Sequence, residues 1–528
     1  MKKLAFLLAV LSIICILTSC DSNVEVEGLK FYPQDNGSFY VGADAEKLTT
    51  KELIIPAFYE GRPVTGIAEN GFSWCDTLTS VNLPLTINVI DDMAFAYCAS
   101  LKSINIPRTT EVIGSSAFIG CKKLESVIIP EGVLEIGREA FSSCEQLKEL
   151  SLPESLYYVS PTAFLNCDSI EKLTLLGPEI IEKNTFNAPN LTELYVGDKV
   201  KEIRSDNQFG NMRLNKIRIS SNLELLHPYT INVGYGFEYN YYEGQKYLGN
   251  ERNPYVVLVA SGNNTEAESI VAHEDTRVVV GRGSKTPMSI ELNDGIKFVN
   301  IGIISGYESL NYNTYKGGRY LGTKDNPYHM LYDVDDTDIS EFEIHPDCRV
   351  LRGGIDKCET MVEIYIPKNV YHISPYFFEN NSFLSAINVD PQNKHFLSHD
   401  GLLYSGTGKT LIRCPMGVRG DVVVKSGVTN IGRNAFYECD FITSIDLQKG
   451  VKIIHSYAID CAKLKEIHLP TSIKEIRARG FNDVSTTITV YYGGAKWQWR
   501  RVEVSNNNLA VFVRCSDIWN KLFSQTNA

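Results

Sequence analysis

Thirteen cysteines and nine histidines are the side chains of this 528-residue chain best suited to hold a metal or form disulfides. Five of the cysteines, Cys75, Cys98, Cys121, Cys144 and Cys167, recur every 23 residues. A zinc site calls for Cys-x-x-Cys pairs or closely spaced histidines, and no Cys-x-x-Cys occurs anywhere in the chain. A disulfide ladder is a poor fit as well, because equivalent residues in stacked turns of chain point the same way rather than at each other. Five is also an odd number. The spacing therefore favours a third reading, in which a small apolar side chain is buried once per structural repeat, a role that free cysteine fills readily.

Other candidate chemistry fails on its own requirements. "SGTGKT" at 405–410 lacks the first glycine of a phosphate-binding loop, because Leu403 stands five places before Gly408. It reads as a hairpin turn. His395 and His399 lie four apart but have no glutamate partner, and their surroundings look like strand and turn, so surface histidines are expected. No Gly-x-Ser-x-Gly nucleophile elbow is present. The expectation is a non-enzymatic chain with no catalytic residue, no metal and no cofactor.

One cysteine has a chemical role that can be read from its neighbours. Lys2 and Lys3 precede an apolar stretch from Leu4 to Leu17 that is too short for a comfortable membrane span, so the segment reads as an export signal. Leu17-Thr18-Ser19-Cys20 resembles the lipobox of bacterial lipoproteins, which implies cleavage before Cys20 and acylation of that residue. The alternative is a plain secretory signal with a chance cysteine. Two or more acyl chains anchor stably where one binds only marginally. The resemblance places the chain in a bacterial cell envelope, lipid-anchored at the outer membrane or cell surface, with the acyl group as its only membrane contact. Export also leaves Cys348 and Cys358 as a possible bridge.

Composition sets broad limits. Apolar residues make up 44% and charged residues 22%, enough for an extensive core. The net charge of -12 and the lack of any basic run argue against nucleic acid as a partner. At this length, several domains or an elongated repeat array are expected.

The array is visible once segments are stacked. "AFAYCASLKSINIPRTTEVIGSS" from 94, "AFIGCKKLESVIIPEGVLEIGRE" from 117 and "AFSSCEQLKELSLPESLYYVSPT" from 140 share Phe, Cys, Leu and an alternating Ile-x-Ile at fixed offsets. Residues 104 and 106 fall on one face of a strand and 103 and 105 on the other, and Pro107 ends the ladder. A unit this short cannot bury its own apolar face, so coils must stack and turn Phe72, Phe95, Phe118, Phe141, Phe164 and Phe186 into a continuous column.

The motif A-F-x-x-C-x-x-L-x-x-I-x-I-P, seen in "AFIGCKKLESVIIP" and again in "AFYECDFITSIDL" from 435, resembles the BspA-type bacterial leucine-rich repeat. The resemblance implies a leucine-rich repeat solenoid, β-rich, with right-handed coils of about 23 residues. It also implies a secreted or lipid-anchored surface protein that adheres to host proteins or other cells, with no catalytic residues to carry over.

The expected organisation follows the chain. Residues 1–19 form the signal peptide, and 20–28 the lipidated cysteine and tether. Residues 29–70 form an N-terminal β cap with a hairpin at Asn36-Gly37, and 71–206 the first array. Residues 207–346 hold degenerate repeats and a duplicated Tyr-rich β module, in which Tyr247-Leu248-Gly249 matches Tyr320-Leu321-Gly322 and Asn253-Pro254-Tyr255 matches Asn326-Pro327-Tyr328. A second array fills 347–494, with an expanded hairpin coil at 396–417. A C-terminal cap at 495–528 completes the chain.

Two surfaces are candidates for binding. The first is the variable strand face, expected to be concave and lined by Asn82, Asn105, Ile128, Glu149, Lys172, Glu193, Tyr195, Tyr365 and His468 among others. It suits a host or bacterial surface protein. The second is the Tyr-rich module, with Tyr239, Tyr242, Tyr312 and Tyr315, whose amphipathic rings suit a glycan or a protein anchor. Plain solvation of the strand face and packing of the tyrosines are the bland alternatives.

Overall fold

The computed structural model describes residues 28–494 apart from 35, 45–46, 183, 205–208, 227–230, 234–236, 262–268, 283–288, 301–310, 335–341, 356–357, 359, 478–479, 483 and 485–487, together with the strands Glu503–Val504 and Phe512–Cys515. The expected signal peptide, Cys20, the tether and most of the C-terminal cap lie outside these residues. The described chain is all strand and turn, with no helix among its elements.

The chain forms two compact units. In the first (residues 1–178, 182–194 and 208–214) the coils lie parallel and in register. The strands Glu52–Ile54, Ser80–Asn82, Ser103–Asn105, Ser126–Ile128, Glu149–Leu152 and Lys172–Leu175 form one ladder. Arg62–Ile67, Val89–Ile90, Val112–Ile113, Glu135–Ile136 and Tyr158–Val159 form a second. The antiparallel hairpin Leu29–Pro33 with Phe39–Ala43 turns at Asn36-Gly37, where Gly37 has φ of 84°. Its second strand pairs with Arg62–Ile67, so the hairpin occupies the first edge of that ladder.

The core of this unit is the phenylalanine column. Successive rings from Phe72 to Phe186 stack with centroids 4.9–5.4 Å apart and planes within 15°. Coil spacing imposes this geometry: equivalent side chains repeat at roughly the 4.8 Å strand separation, so identical rings must lie face to face.

The second unit (179–181, 195–207 and 215–528) keeps the parallel ladder but expands three of its coils into hairpins. Asn240–Tyr242, Gln245–Leu248 and Val257–Ser261 form the first, and Asn313–Tyr315, Gly318–Leu321 and Met330–Val334 the second. Phe396–His399, Leu402–Ser405 and Thr410–Arg413 form a third on the same plan. In each, the last strand pairs in parallel with the next coil. The duplicated module is thus a thrice-used way of widening one coil without breaking the stack. A buried tyrosine marks each copy: the hydroxyls of Tyr247, Tyr320 and Tyr404 accept backbone N–H groups from His273 (3.3 Å), His345 (3.0 Å) and Lys425 (3.2 Å). "SGTGKT" is the turn of the third hairpin, closed by Thr410 N donating to Ser405 Oγ at 3.1 Å.

Candidate functional site

Strand alternation decides what the long ladder presents to water. Val81, Ile104, Val127, Leu150 and Leu173 point into the core, so their neighbours point out. Ser80, Ser103, Ser126, Glu149 and Lys172 form one outward row in register, and Asn82, Asn105 and Ile128 a second. Their availability differs. Lys172 Nζ lies 2.9 Å from Glu149 Oε1, so these two engage each other. Asn105 is committed to the fold: its Oδ1 accepts from Leu83 N at 2.7 Å and its Nδ2 donates to Leu83 O at 3.0 Å. Ile128 is 80% exposed, and Ile54 on the same row is also exposed.

The corresponding strands of the second unit repeat this behaviour. Val271, Tyr365 and Val423 occupy outward positions and are exposed, as is Tyr195. Glu193 is half-buried. β-Branched and aromatic residues suit strands, so one such residue in water means little. Their recurrence at the outward strand position in both units is the signal.

A groove of about 630 Å³ lies in the second unit at the carboxyl ends of three adjacent strands, Ile442–Asp446, Glu466–Leu469 and Thr489–Tyr492. Register places Asp446 beside His468 and His468 beside Tyr491. The imidazole and phenol rings stack at 4.8 Å and 18°. Leu447, Leu469 and Tyr492 form a buried floor, and Gly493 lines the groove beside them. Asp446 Oδ2 accepts from Gln448 Nε2 at 2.8 Å, and Lys449 lines the rim. His468 Nε2 sits 3.7 Å from Glu466 Oε1. Carboxylate, amide, ammonium and stacked rings can hold a ligand. No group of three metal-ligating side chains occurs among the described residues.

The half-buried rings of the Tyr-rich modules pack against neighbouring rings of their own module. Tyr242 is edge-on to His273 at 4.6 Å, with Tyr255 against the same imidazole at 4.1 Å. Tyr315, His345 and Tyr328 repeat the arrangement at 4.6 and 3.8 Å. Tyr312 stacks on Tyr332 at 5.4 Å, and burial pushes its hydroxyl pKa upward. Tyr239 packs against Phe237 and lies beneath the ammonium of Lys246. Among the described tyrosines of these modules, Tyr241 is the strongly exposed one.

The profile of the BspA-type leucine rich repeat region matches in six copies over residues 65–178, 111–233, 335–399 and 420–494, more than half of the chain. The chain belongs to the BspA-type leucine-rich repeat family. That family comprises bacterial surface proteins. Similar solved structures include a leucine-rich repeat protein from Bacteroides ovatus (18% identity, covering 89% of this chain and 100% of that one, TM-score 0.37). A leucine rich repeat protein of T. pallidum is 24% identical over 34% of this chain and 82% of its own, with a TM-score of 0.31. A leucine rich cell surface protein from Faecalibacterium prausnitzii is 15% identical over 92% and 99%, with a TM-score of 0.20. No curated protein matches.

The cysteine of the BspA-type coil does more than fill space. The ten cysteines from Cys75 to Cys461, Cys348 and Cys358 included, are buried and joined in no disulfide. The thiols of Cys98, Cys121, Cys144 and Cys167 donate to the carbonyls of Phe72, Phe95, Phe118 and Phe141, 26 residues earlier, at 3.0–3.4 Å. Burial pushes the Cys121 and Cys167 thiols up to about 12, so they stay protonated donors. The periodicity alone did not reveal these bonds. One residue could have: Asn381 stands in the cysteine's place in its coil and donates to Ile355 O at 3.1 Å and Cys358 O at 3.0 Å, as a polar replacement for a mere hydrophobe would not.

Proposed function

We propose that this chain is a non-enzymatic surface lipoprotein that captures a protein partner, on a host cell or another bacterium, through outward strand positions of its coils. Acyl chains on Cys20 would hold it on the envelope. The observation that carries the reading is the recurrence of exposed Ile54, Ile128, Val271, Tyr365 and Val423 at outward strand positions, where water gives an apolar side chain no reason to be. Neighbouring polar residues supply the rim that protein interfaces use. Tyr195, Tyr365 and His468 offer larger anchors of the kind hot spots favour. Glycan capture through Tyr239, Tyr242, Tyr312 and Tyr315 has less support, because those rings pack against their own module.

The test uses the mature chain against an array of purified extracellular proteins, with Ile128→Lys and Tyr365→Lys as variants. A partner lost by either variant while thermal unfolding stays unchanged supports the reading. A partner bound equally well by both removes it. Cys20→Ala in the producing cell should shift the protein from the membrane fraction to the soluble one.

A further inference from the structure

In the first unit each coil carries one left-handed residue immediately before its cysteine. These are Trp74, Tyr97, Gly120, Ser143 and Asn166, with φ of 61°, 59°, 70°, 61° and 59°. Glycine adopts this conformation freely and asparagine readily, while a bulky side chain there is an outlier. The later coils follow that preference at Gly120 and Asn166. The first two coils instead carry the largest rings available, at the positions least suited to them. Core packing does not explain the choice, since Trp74 is 65% exposed. Left-handed backbone belongs to the coil itself, since Met93, Glu139 and Thr162 adopt it four places earlier in their coils and Glu438 adopts it before Cys439, so what sets Trp74 and Tyr97 apart is the exposed aromatic pair they form.

The rings are ordered. Trp74 stacks on Tyr97 with centroids 4.3 Å apart and planes at 21°. A Cβ on Gly120 would lie 2.6 Å from Cδ1 of Tyr97, so the glycine gives the phenol ring its place. Gly120 backs Tyr97, Tyr97 backs Trp74, and the indole at the head of the column stays largely in water.

Charge narrows the ligand class. The two coils that carry the rings have no Lys or Arg between Arg62 and Lys102, whereas Glu69, Asp76, Asp91 and Asp92 fall within that stretch; Lys122 and Lys123 follow Gly120 one coil further on. Acidic side chains in the Trp74 coil itself, Asp76 nearest, disfavour phosphates, sulfates and uronic acids at the exposed indole. An open, flat ring pair does not enclose a purely apolar small molecule, which seeks a concave site. An uncharged pyranose fits both limits: its C–H face covers an indole, and its hydroxyls donate to carboxylates. Asp76 is exposed in the same turn, its backbone N–H donating to Trp74 O at 2.9 Å.

We propose that Trp74 and Tyr97, backed by Gly120, form a stacking platform for a sugar ring of a neutral oligosaccharide, with Asp76 accepting its hydroxyls. The platform is distinct from the outward strand face and does not depend on that face binding protein.

The experiment titrates the intact mature chain by calorimetry with cellohexaose, maltohexaose, mannohexaose and chitohexaose, with polygalacturonate as the anionic comparison. The decisive variant is Trp74→Asn. Asparagine already serves the same backbone position at Asn166, so this variant removes the ring while easing the backbone. At least one neutral oligosaccharide should bind, and Trp74→Asn should weaken it by about tenfold or more with an unfolding midpoint no lower than native. Trp74→Phe should fall between the two. The proposal is overturned if none of the four sugars binds, if Trp74→Asn binds like the native chain, or if polygalacturonate is preferred. It is equally overturned if Trp74 instead mediates self-association in sedimentation, or captures a displayed peptide with no sugar bound.

Discussion

Phe118→Ala tests the stacked core most directly. Phe118 is fully buried, with the Phe95 ring on one side at 5.4 Å and the Phe141 ring on the other at 4.9 Å. Truncating a buried phenylalanine costs about 3–5 kcal/mol in lost transfer and residual cavity. Each stacked pair adds roughly 0.5–1.5 kcal/mol beyond burial, so the two contacts place Phe118 in the upper part of that range. In a stack where each coil touches only its neighbours, the effect should couple to adjacent coils and to no others. Urea unfolding of the mature chain, followed by fluorescence and circular dichroism, reads the single variants and two double-mutant cycles. Phe118→Ala with Phe141→Ala should deviate from additivity by roughly 0.5–1.5 kcal/mol, while Phe118→Ala with Phe186→Ala should add within about 0.5 kcal/mol. A loss below about 1 kcal/mol for Phe118→Ala, or equal coupling in both cycles, would refute the column as a chain of nearest-neighbour contacts.

Three further outcomes follow from named groups. Because burial holds Cys121 and Cys167 at about 12, neither should react with a thiol reagent at pH 8 until denaturant unfolds the first unit; prompt labelling in the native state, read by mass spectrometry, would contradict their burial. His329 is fully buried and held at about 4 rather than 6.5, with Asp294 at 3.5 Å pulling weakly the other way. Above pH 6.5 both folded and unfolded forms are neutral; below it the unfolded side chain gains a proton that the folded one refuses, so stability should fall between 6.5 and about 4 by up to roughly 1.4 kcal/mol per pH unit, and His329→Gln should flatten the slope measured by urea midpoints. Tyr320→Phe leaves the part-buried His345 N–H without its acceptor and should cost about 1–2 kcal/mol, whereas Tyr312→Phe, on a half-exposed ring, should cost less; equal midpoints for the two would deny the hydroxyl its structural part.

Much of the fold could be read without coordinates because the repeat is local. Phe95, Cys98, Leu101, Ile104 and Ile106 announce a coil on their own, and the next coil confirms them at the same offsets. The Asn36-Gly37 hairpin was legible for the same reason, since the turn's chemistry sits within two residues. The third hairpin coil was harder. Its Tyr404 shares little surrounding sequence with Tyr247 and Tyr320, and the common strand plan and hydroxyl-to-backbone bond reveal the kinship. The candidate site was legible in part: His468 could be placed on the outward face by alternation, but Tyr491, Gln448, Lys449 and Gly493 come to it from neighbouring coils.

The sequence by itself determined the period, the inward columns of Phe and Cys and the list of outward residues, because stacking identical coils turns a one-dimensional repeat directly into three-dimensional rows. Only the tertiary structure decided which outward residues are available. Asn105 seals the end of the preceding strand, Lys172 meets Glu149, and Tyr242 and Tyr315 close onto histidines, whereas Ile128 and Trp74 remain in water. The physical reason is that a side chain's fate depends on what the adjoining coil sets beside it, roughly 4.8 Å away but some 23 residues distant in the chain. Periodicity reports that a neighbour exists there, and it is silent on which hydrogen bond or ring contact that neighbour makes.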